Sequence, residues 1–216
     1  NDQVTHTRVT NAIFPSTFVI PLSETMTITQ IHVPVDDTHN YWYAIFTSFD
    51  APVDKEVMRN QRLEAVTLPD YIPKSGQHNN WGFSADEQQS RTYLGMGESD
   101  INVHDQWACE SMGAIQDRTR EHLGTTDKVI MANRRNLIKA IETVQAGGTP
   151  PGVADSEIAA HRMGPDTVDG LAPTGGTEAW WRHAVQAKRD NAPWDAALKP
   201  VAEPLVPEYS PHEEAS

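Results

Sequence analysis

Chemistry-bearing side chains crowd most tightly between His104 and Asp127, a stretch holding three aspartates, two glutamates and two histidines. Each aspartate there has an ordinary structural use. Asp105 stands at the entrance of a predicted helix, where a carboxylate accepts from unpaired backbone N–H groups as an N-cap. Asp117 precedes Arg118 and reads as an ion-paired helix residue, and Asp127 suits the positive N-terminal end of a second helix. Nine histidines are spread along the chain, yet no two have zinc-pair spacing and no His-Glu-x-x-His helix exists, so a metal site built wholly within the chain is not expected. There is no Gly-x-Ser-x-Gly elbow, no phosphate loop and no Gly-x-Gly-x-x-Gly after a strand; Gly95-Met96-Gly97 is too short a match to count. A single cysteine, Cys109, excludes an internal disulfide and any cluster needing two thiolates, which leaves it a packing role.

The elements that must position these residues fall into two kinds. β-Branched and aromatic residues between Pro15 and Pro21 predict a strand at Ser16 to Ile20, followed by a hairpin of Met26 to Val33 and Tyr41 to Ser48 around the turn-forming Pro34, Asp36, Asp37 and Asn40. From Ala51 to Gly97 the chain is polar and proline-bearing, with a short helix at Lys55 to Glu64. Helical spacing then runs from Asp105 to Leu123, broken near Gly113, with Trp107, Cys109 and Met112 as packing residues. Thr126 caps a longer helix from about Asp127 to Ala146, with Ile130, Leu137 and Ile141 inward and Lys128, Lys139 and Glu142 outward. After Pro150, proline, glycine and alanine dominate, and Trp180, Trp181 and Trp194 read as anchors of an extended tail laid against another surface. Strands followed by helices predict an α+β fold, with residues 1–153 as the folded part and residues 154–216 as the tail.

Charge narrows the function. Seventeen basic against thirty acidic residues give a formal charge of −13, which repels phosphate backbones and anionic membrane surfaces, so neither nucleic acid nor membrane is an expected partner. No apolar run approaches membrane-spanning length and no secretory signal opens the chain, so the expected setting is cytoplasmic. The first residue is Asn1 and apolar alternation begins at once, which suggests that further sequence precedes it.

The run from His104 to Asp127 resembles phthalate-dioxygenase-type oxygenase α subunits. In these an aspartate entering a helix is followed by Glu-Ser-Met-Gly, here Glu110-Ser111-Met112-Gly113, and by Asp-Arg-Thr-x-Glu-His-Leu-Gly-x-x-Asp, here Asp117 to Asp127. Val33 to His39 with the aromatic strand after it, and Arg134-Arg135 in the long helix, fit the same group. The similarity spans roughly Val9 to Val153.

The resemblance implies a mononuclear Fe(II) held by two histidines and one carboxylate, with positions left open for O2. It makes Asp105 the carboxylate ligand and the catalytic residue, with Asp117 and Asp127 as competitors. The two histidines and a Rieske [2Fe-2S] cluster belong to a part of the subunit that this chain does not contain. His104 departs from the glutamine common at that position. The implied fold is a helix-grip (TBP-like or START-like) antiparallel sheet curling around a substrate cavity, for which Phe14, Phe18, Ile28, Trp42 and Phe46 are pocket candidates, though apolar strand residues are core residues by default. The implied activity is hydroxylation or O-demethylation of an aromatic acid. Electrons would come from a separate flavin and iron–sulfur reductase, in a homo-oligomer, a trimer or hexamer. A non-catalytic ligand-binding or assembly module on the same sheet is the alternative.

Overall fold

The computed structural model describes residues 3–97, 101–152 and 165–194. In chain order the elements are β1 (Val4–Val9), β2 (Asn11–Ile13), β3 (Thr17–Pro21), β4 (Met26–Pro34), β5 (Asn40–Ser48), α1 (Lys55–Glu64), β6 (Val66–Thr67), β7 (Ile72–Pro73), α2 (Ala85–Ser90), α3 (Asn102–Glu110), α4 (Lys128–Gln145), β8 (Val168–Pro173) and α5 (Thr177–Asp190). The fold is α+β with antiparallel sheet. Its described residues divide into two compact units, one from those up to Val33, Tyr41–Pro52 and those from Gly124 onward, the other from those within Pro34–Asn40 and Val53–Leu123.

The first unit carries a four-stranded sheet in the order β2-β3-β4-β5. Phe18 lies opposite Gln30 and Ile20 opposite Ile28 across β3 and β4. The β4 to β5 turn is built by Asp36, whose carboxylate accepts from the backbone N–H groups of Thr38 (2.8 Å) and His39 (2.8 Å), the way a short acidic side chain fixes a tight turn. Those bonds and the His39 ring beside it hold the Asp36 carboxyl at about 2, below its usual 3.8, the Thr38 N–H acting most strongly. Backbone bonds from Val35 N to His39 O and from Phe49 N to Thr25 O bracket the hairpin. That register sets Trp42 opposite His32 and Phe46 opposite Ile28.

Beside this sheet, β1 pairs antiparallel with β8 from Val4 opposite Pro173 to Val9 opposite Val168. The core collects Val19, Pro21, Thr27 and Phe49 from the larger sheet, Val168 and Ala172 from β8, and Val185 and Ala192 from α5 and its end. The Phe49 ring meets Trp194 at 5.1 Å, and Trp194 Nε1 donates to Ser48 O at 2.7 Å. A Cβ on Gly170 would come within 3.0 Å of the Trp180 ring, so glycine is what lets the edge of that indole approach β8 so closely. Residues 165–194 are therefore regular structure and core, which corrects the expectation of an extended tail throughout. Their proline and glycine content reflects short connections and one close approach; the remainder of 153–216 lies outside the described residues.

α4 runs almost as expected, but its inward face is corrected. Ile130 and Ile141 are 47% and 55% exposed; Leu137 is half-buried, Ala140 is buried, and Lys128, Lys139 and Glu142 face outward. The helix is apolar on more than one side, with Val129, Ile138 and Val144 also exposed, so a 3.6-residue period alone did not single out one face. Thr126 belongs to a 3-10 turn, Thr125–Asp127, and the N-cap is Asp127.

In the second unit, Asp54 caps α1 by accepting from Glu56 N (3.1 Å) and Val57 N (3.0 Å). Trp81, 5% exposed, donates its indole N–H to Glu110 at 2.7 Å, tying the 3-10 turn Gln77–Gly82 to the end of α3. The helix predicted from Asp105 to Leu123 is shorter: it starts three residues earlier and stops at Glu110. Gly113 at φ +93° leaves the helical region. Asp117 then turns the chain locally, accepting from the Thr119 N–H (3.0 Å) and hydroxyl (2.6 Å). It does not pair with Arg118, which bonds Glu121 at 3.1 Å. Cys109 is exposed, and Trp107 and Met112 are 40% and 51% exposed, so none of the three is a buried core residue of the described structure.

Candidate functional site

Asp105 lies within the first turn of α3 and is exposed. It is not the N-cap; Ile101 holds that place without a side-chain bond. Helical spacing puts Ile101, His104 and Asp105 on one face, at i, i+3 and i+4. Asp127 accepts from Gly124 N at 2.7 Å, and Asp117 from Thr119, whose hydroxyl first and N–H second hold the Asp117 carboxyl below its usual 3.8. Both competitors are thus engaged in closing turns.

The wall opposite that α3 face is the loop after α2. Ser84 Oγ caps α2 by accepting from Glu87 N at 3.2 Å. The Glu87 carboxylate turns away to the Thr92 hydroxyl (2.7 Å) and Gly97 N (2.8 Å), while Thr92 Oγ1 accepts from Gly95 N at 3.0 Å. Those two donors, Thr92 first, keep the Glu87 carboxyl below its usual 4.5, with smaller help from Arg91 and His104. Gly95 sits at φ +68°, and a Cβ there would lie 2.6 Å from Ser84 O, so no larger residue fits. Loop and helix border an open pocket of about 290 Å³ lined by Thr92, Tyr93, Leu94, Gly97, Ile101 and His104. Both His104 ring nitrogens are buried, and neither has a hydrogen-bond partner among the described residues. This framework was not read from the sequence. Its signals were the Ser84-x-x-Glu87 capping pattern and the two glycines at 95 and 97.

Four of the five pocket candidates share one face of the first unit's sheet. Phe18, Ile28, Trp42 and Phe46 align there by register. Phe18 meets the His32 ring edge-on at 5.8 Å and Trp42 stacks on it at 5.2 Å. Phe14 is apart from them, in the turn before β3, where it lies beside Gly152. Asp105 belongs to the other unit. Among the described residues, no group of three His, Cys, Asp or Glu side chains could hold a metal ion. No described helix is long and apolar enough to cross a membrane.

Comparison with known proteins gives these features a family. The chain is 28% identical over 172 residues to the 3-chlorobenzoate-3,4-dioxygenase oxygenase subunit of Comamonas testosteroni, covering 71% of this chain and 39% of that protein. It is 26% identical over 157 residues to the phthalate 4,5-dioxygenase oxygenase subunit of Pseudomonas putida, covering 71% of this chain and 35% of that protein. The chain thus spans well under half the length of the relatives it matches. The model of the LigXa C-terminal domain-like family matches residues 1–197, and with nearly the whole chain covered, this protein belongs to that family, the C-terminal part of Rieske oxygenases of the phthalate dioxygenase type.

Proposed function

We propose that the chain forms part of the catalytic α subunit of a Rieske non-haem iron oxygenase acting on an aromatic acid, in which Asp105 is the carboxylate ligand of a mononuclear Fe(II). The observation that carries this is the setting of Asp105: an exposed carboxylate on a helix, five residues before Glu110-Ser111-Met112-Gly113. The donor chemistry fits one corner of such a site. A hard carboxylate beside two imidazoles suits Fe(II), and the resemblance assigns the two histidines to a part of the subunit outside this chain. When bound there, the iron supplies the reductive activation of O2. The chain's own contribution is to fix the carboxylate: α3 is anchored at its far end by the Trp81 to Glu110 bond, which orients the first turn.

The wider reading follows the relatives, named as oxygenase subunits of chlorobenzoate and phthalate dioxygenases. Electrons arrive through a Rieske [2Fe-2S] cluster from a separate reductase. The subunits form a cytoplasmic homo-oligomer, a trimer or hexamer. The sheet face of Phe18, Ile28, Trp42 and Phe46 lines the substrate cavity of a helix-grip fold, with hydroxylation or O-demethylation as the outcome. Phe14, turned into a neighbouring loop, supports that cavity from outside it.

The test is Asp105→Ala in the complete subunit, with metal analysis beside circular dichroism and the Rieske spectrum. Iron and turnover should fall together while fold and cluster persist. Full iron content in the variant would sink the assignment.

A further inference from the structure

We infer that Trp81 and Glu110 form a positioning pair for Asp105, through which the left-handed turn at residues 80–82 sets where α3 presents its carboxylate. The inference rests on the reading of Asp105 as an iron ligand and goes beyond it by naming what fixes that ligand in place. The observation is the turn itself. Asn80 and Trp81 both lie at φ +51° and Gly82 at φ +72°. Asparagine tolerates that region, but for a side chain as bulky as tryptophan it is costly. Such a conformation persists only where the surrounding structure imposes it, and residues held this way gather at functional sites. The imposing bonds are present here. Asn79 Oδ1 accepts from Gly76 N at 3.0 Å and its Nδ2 donates to Lys74 O at 2.8 Å, while Trp81 N donates to Gly76 O at 2.8 Å. They turn the chain so that the indole is 5% exposed and its Nε1 donates to Glu110 Oε2 at 2.7 Å.

A buried indole N–H needs an acceptor, but Glu110 is exposed and water would serve its carboxyl group as well. What the pairing adds is therefore the location of Glu110. That residue closes α3, five positions after Asp105. At 3.6 residues per turn the two side chains leave the helix about 140° apart and about 7.5 Å apart along its axis. Trp81 thus grips α3 on the side away from Asp105, which stays exposed. The opposite end begins at Ile101 without a side-chain cap, so the grip at Glu110 governs the tilt of the helix. Metal–ligand distances tolerate shifts of only about 0.2 Å, and a small tilt of α3 moves the Asp105 carboxylate by more than that.

The experiment is Fe(II) titration of the complete subunit stripped of its mononuclear iron, with urea unfolding and turnover measured beside it. Trp81→Phe keeps a ring and drops the N–H. It should weaken Fe(II) binding about tenfold, the scale of losing a group that orients a metal ligand, and lower kcat with KM for the aromatic acid unchanged. Glu110→Ala should match it, and Glu110→Gln, which keeps an acceptor oxygen, should retain wild-type affinity. Asp54→Ala removes the cap of α1 in the same unit and controls for general loosening, so it should lower stability and leave Fe(II) binding unchanged. Wild-type affinity in Trp81→Phe, or equal weakening in Asp54→Ala, would overturn the inference. If Trp81→Phe fails to fold, the Glu110 variants decide: the inference falls if alanine binds iron at full strength or glutamine binds it as weakly as alanine. Iron retained by Asp105→Ala refutes the ligand assignment itself, whereas iron lost there and held at full strength in Trp81→Phe refutes the positioning role alone.

Discussion

Replacing Gly95 with alanine tests whether the loop that walls the α3 pocket is held by a close approach that only glycine permits. Two costs are separable. The first is the left-handed backbone at φ +68°, which for alanine costs about 1 kcal/mol. The second is overlap: the new Cβ would lie 2.6 Å from Ser84 O and 2.9 Å from Gln88 Cβ. The backbone oxygen cannot swing aside, so the loop itself must move. That movement breaks the bonds from Ser84 N to Gly95 O (2.8 Å) and from Gly95 N to Thr92 Oγ1 (3.0 Å), each worth about 1 kcal/mol. Gly95→Ala should therefore cost about 3 kcal/mol. Gly97→Ala is the internal control, because Gly97 is also left-handed, at φ +81°, but its Cβ would meet nothing within 4 Å. It should cost about 1 kcal/mol. Urea unfolding followed by Trp81 fluorescence reads the second unit, where that indole is buried. Equal destabilisation by the two substitutions would refute the overlap and the loop geometry with it.

Three other expectations follow from the same reasoning. The half-buried Lys188 amine lies 4.4 Å from the Phe49 ring centre, and burial, offset in part by Asp166, lowers its pKa from 10.5 to about 8. The unfolded chain then binds more protons between pH 8 and 10.5, so wild-type stability should rise across that window relative to Lys188→Met. After discounting for solvent screening the rise is about 1 kcal/mol, and a flat difference between the two denaturation curves would refute it. The Asp36 carboxyl, lowered to about 2, contributes stability present above 3.8 and lost as pH falls toward 2, so acid unfolding of Asp36→Asn should lack that component. Arg189, 6% exposed, donates from Nε to Asp166 at 2.7 Å; Arg189→Met strands the partly exposed Asp166 carboxylate and should cost about 3 kcal/mol in chemical denaturation.

The sequence by itself determined the hairpin, α1, the approximate span of α4 and the position of Asp105. These rest on local signals: alternation between proline stops, the apolar stripe of the long helix and the run holding Glu-Ser-Met-Gly. It also placed Phe18, Ile28, Trp42 and Phe46 at even positions, which a two-residue pleat sends to one face once register is set. Tertiary structure alone decided the rest. Ile130 and Ile141 were read inward because large apolar residues repeat there, yet only packing can choose between two apolar sides of one helix. Residues 168–173 look like linker until β1, more than 150 residues away in sequence, supplies the hydrogen-bonding edge that makes them a strand. His104 looked like a departure beside a ligand. Its ring nitrogens are buried where the loop built on Glu87 and Gly95 comes up to α3, and no spacing along the chain encodes that approach.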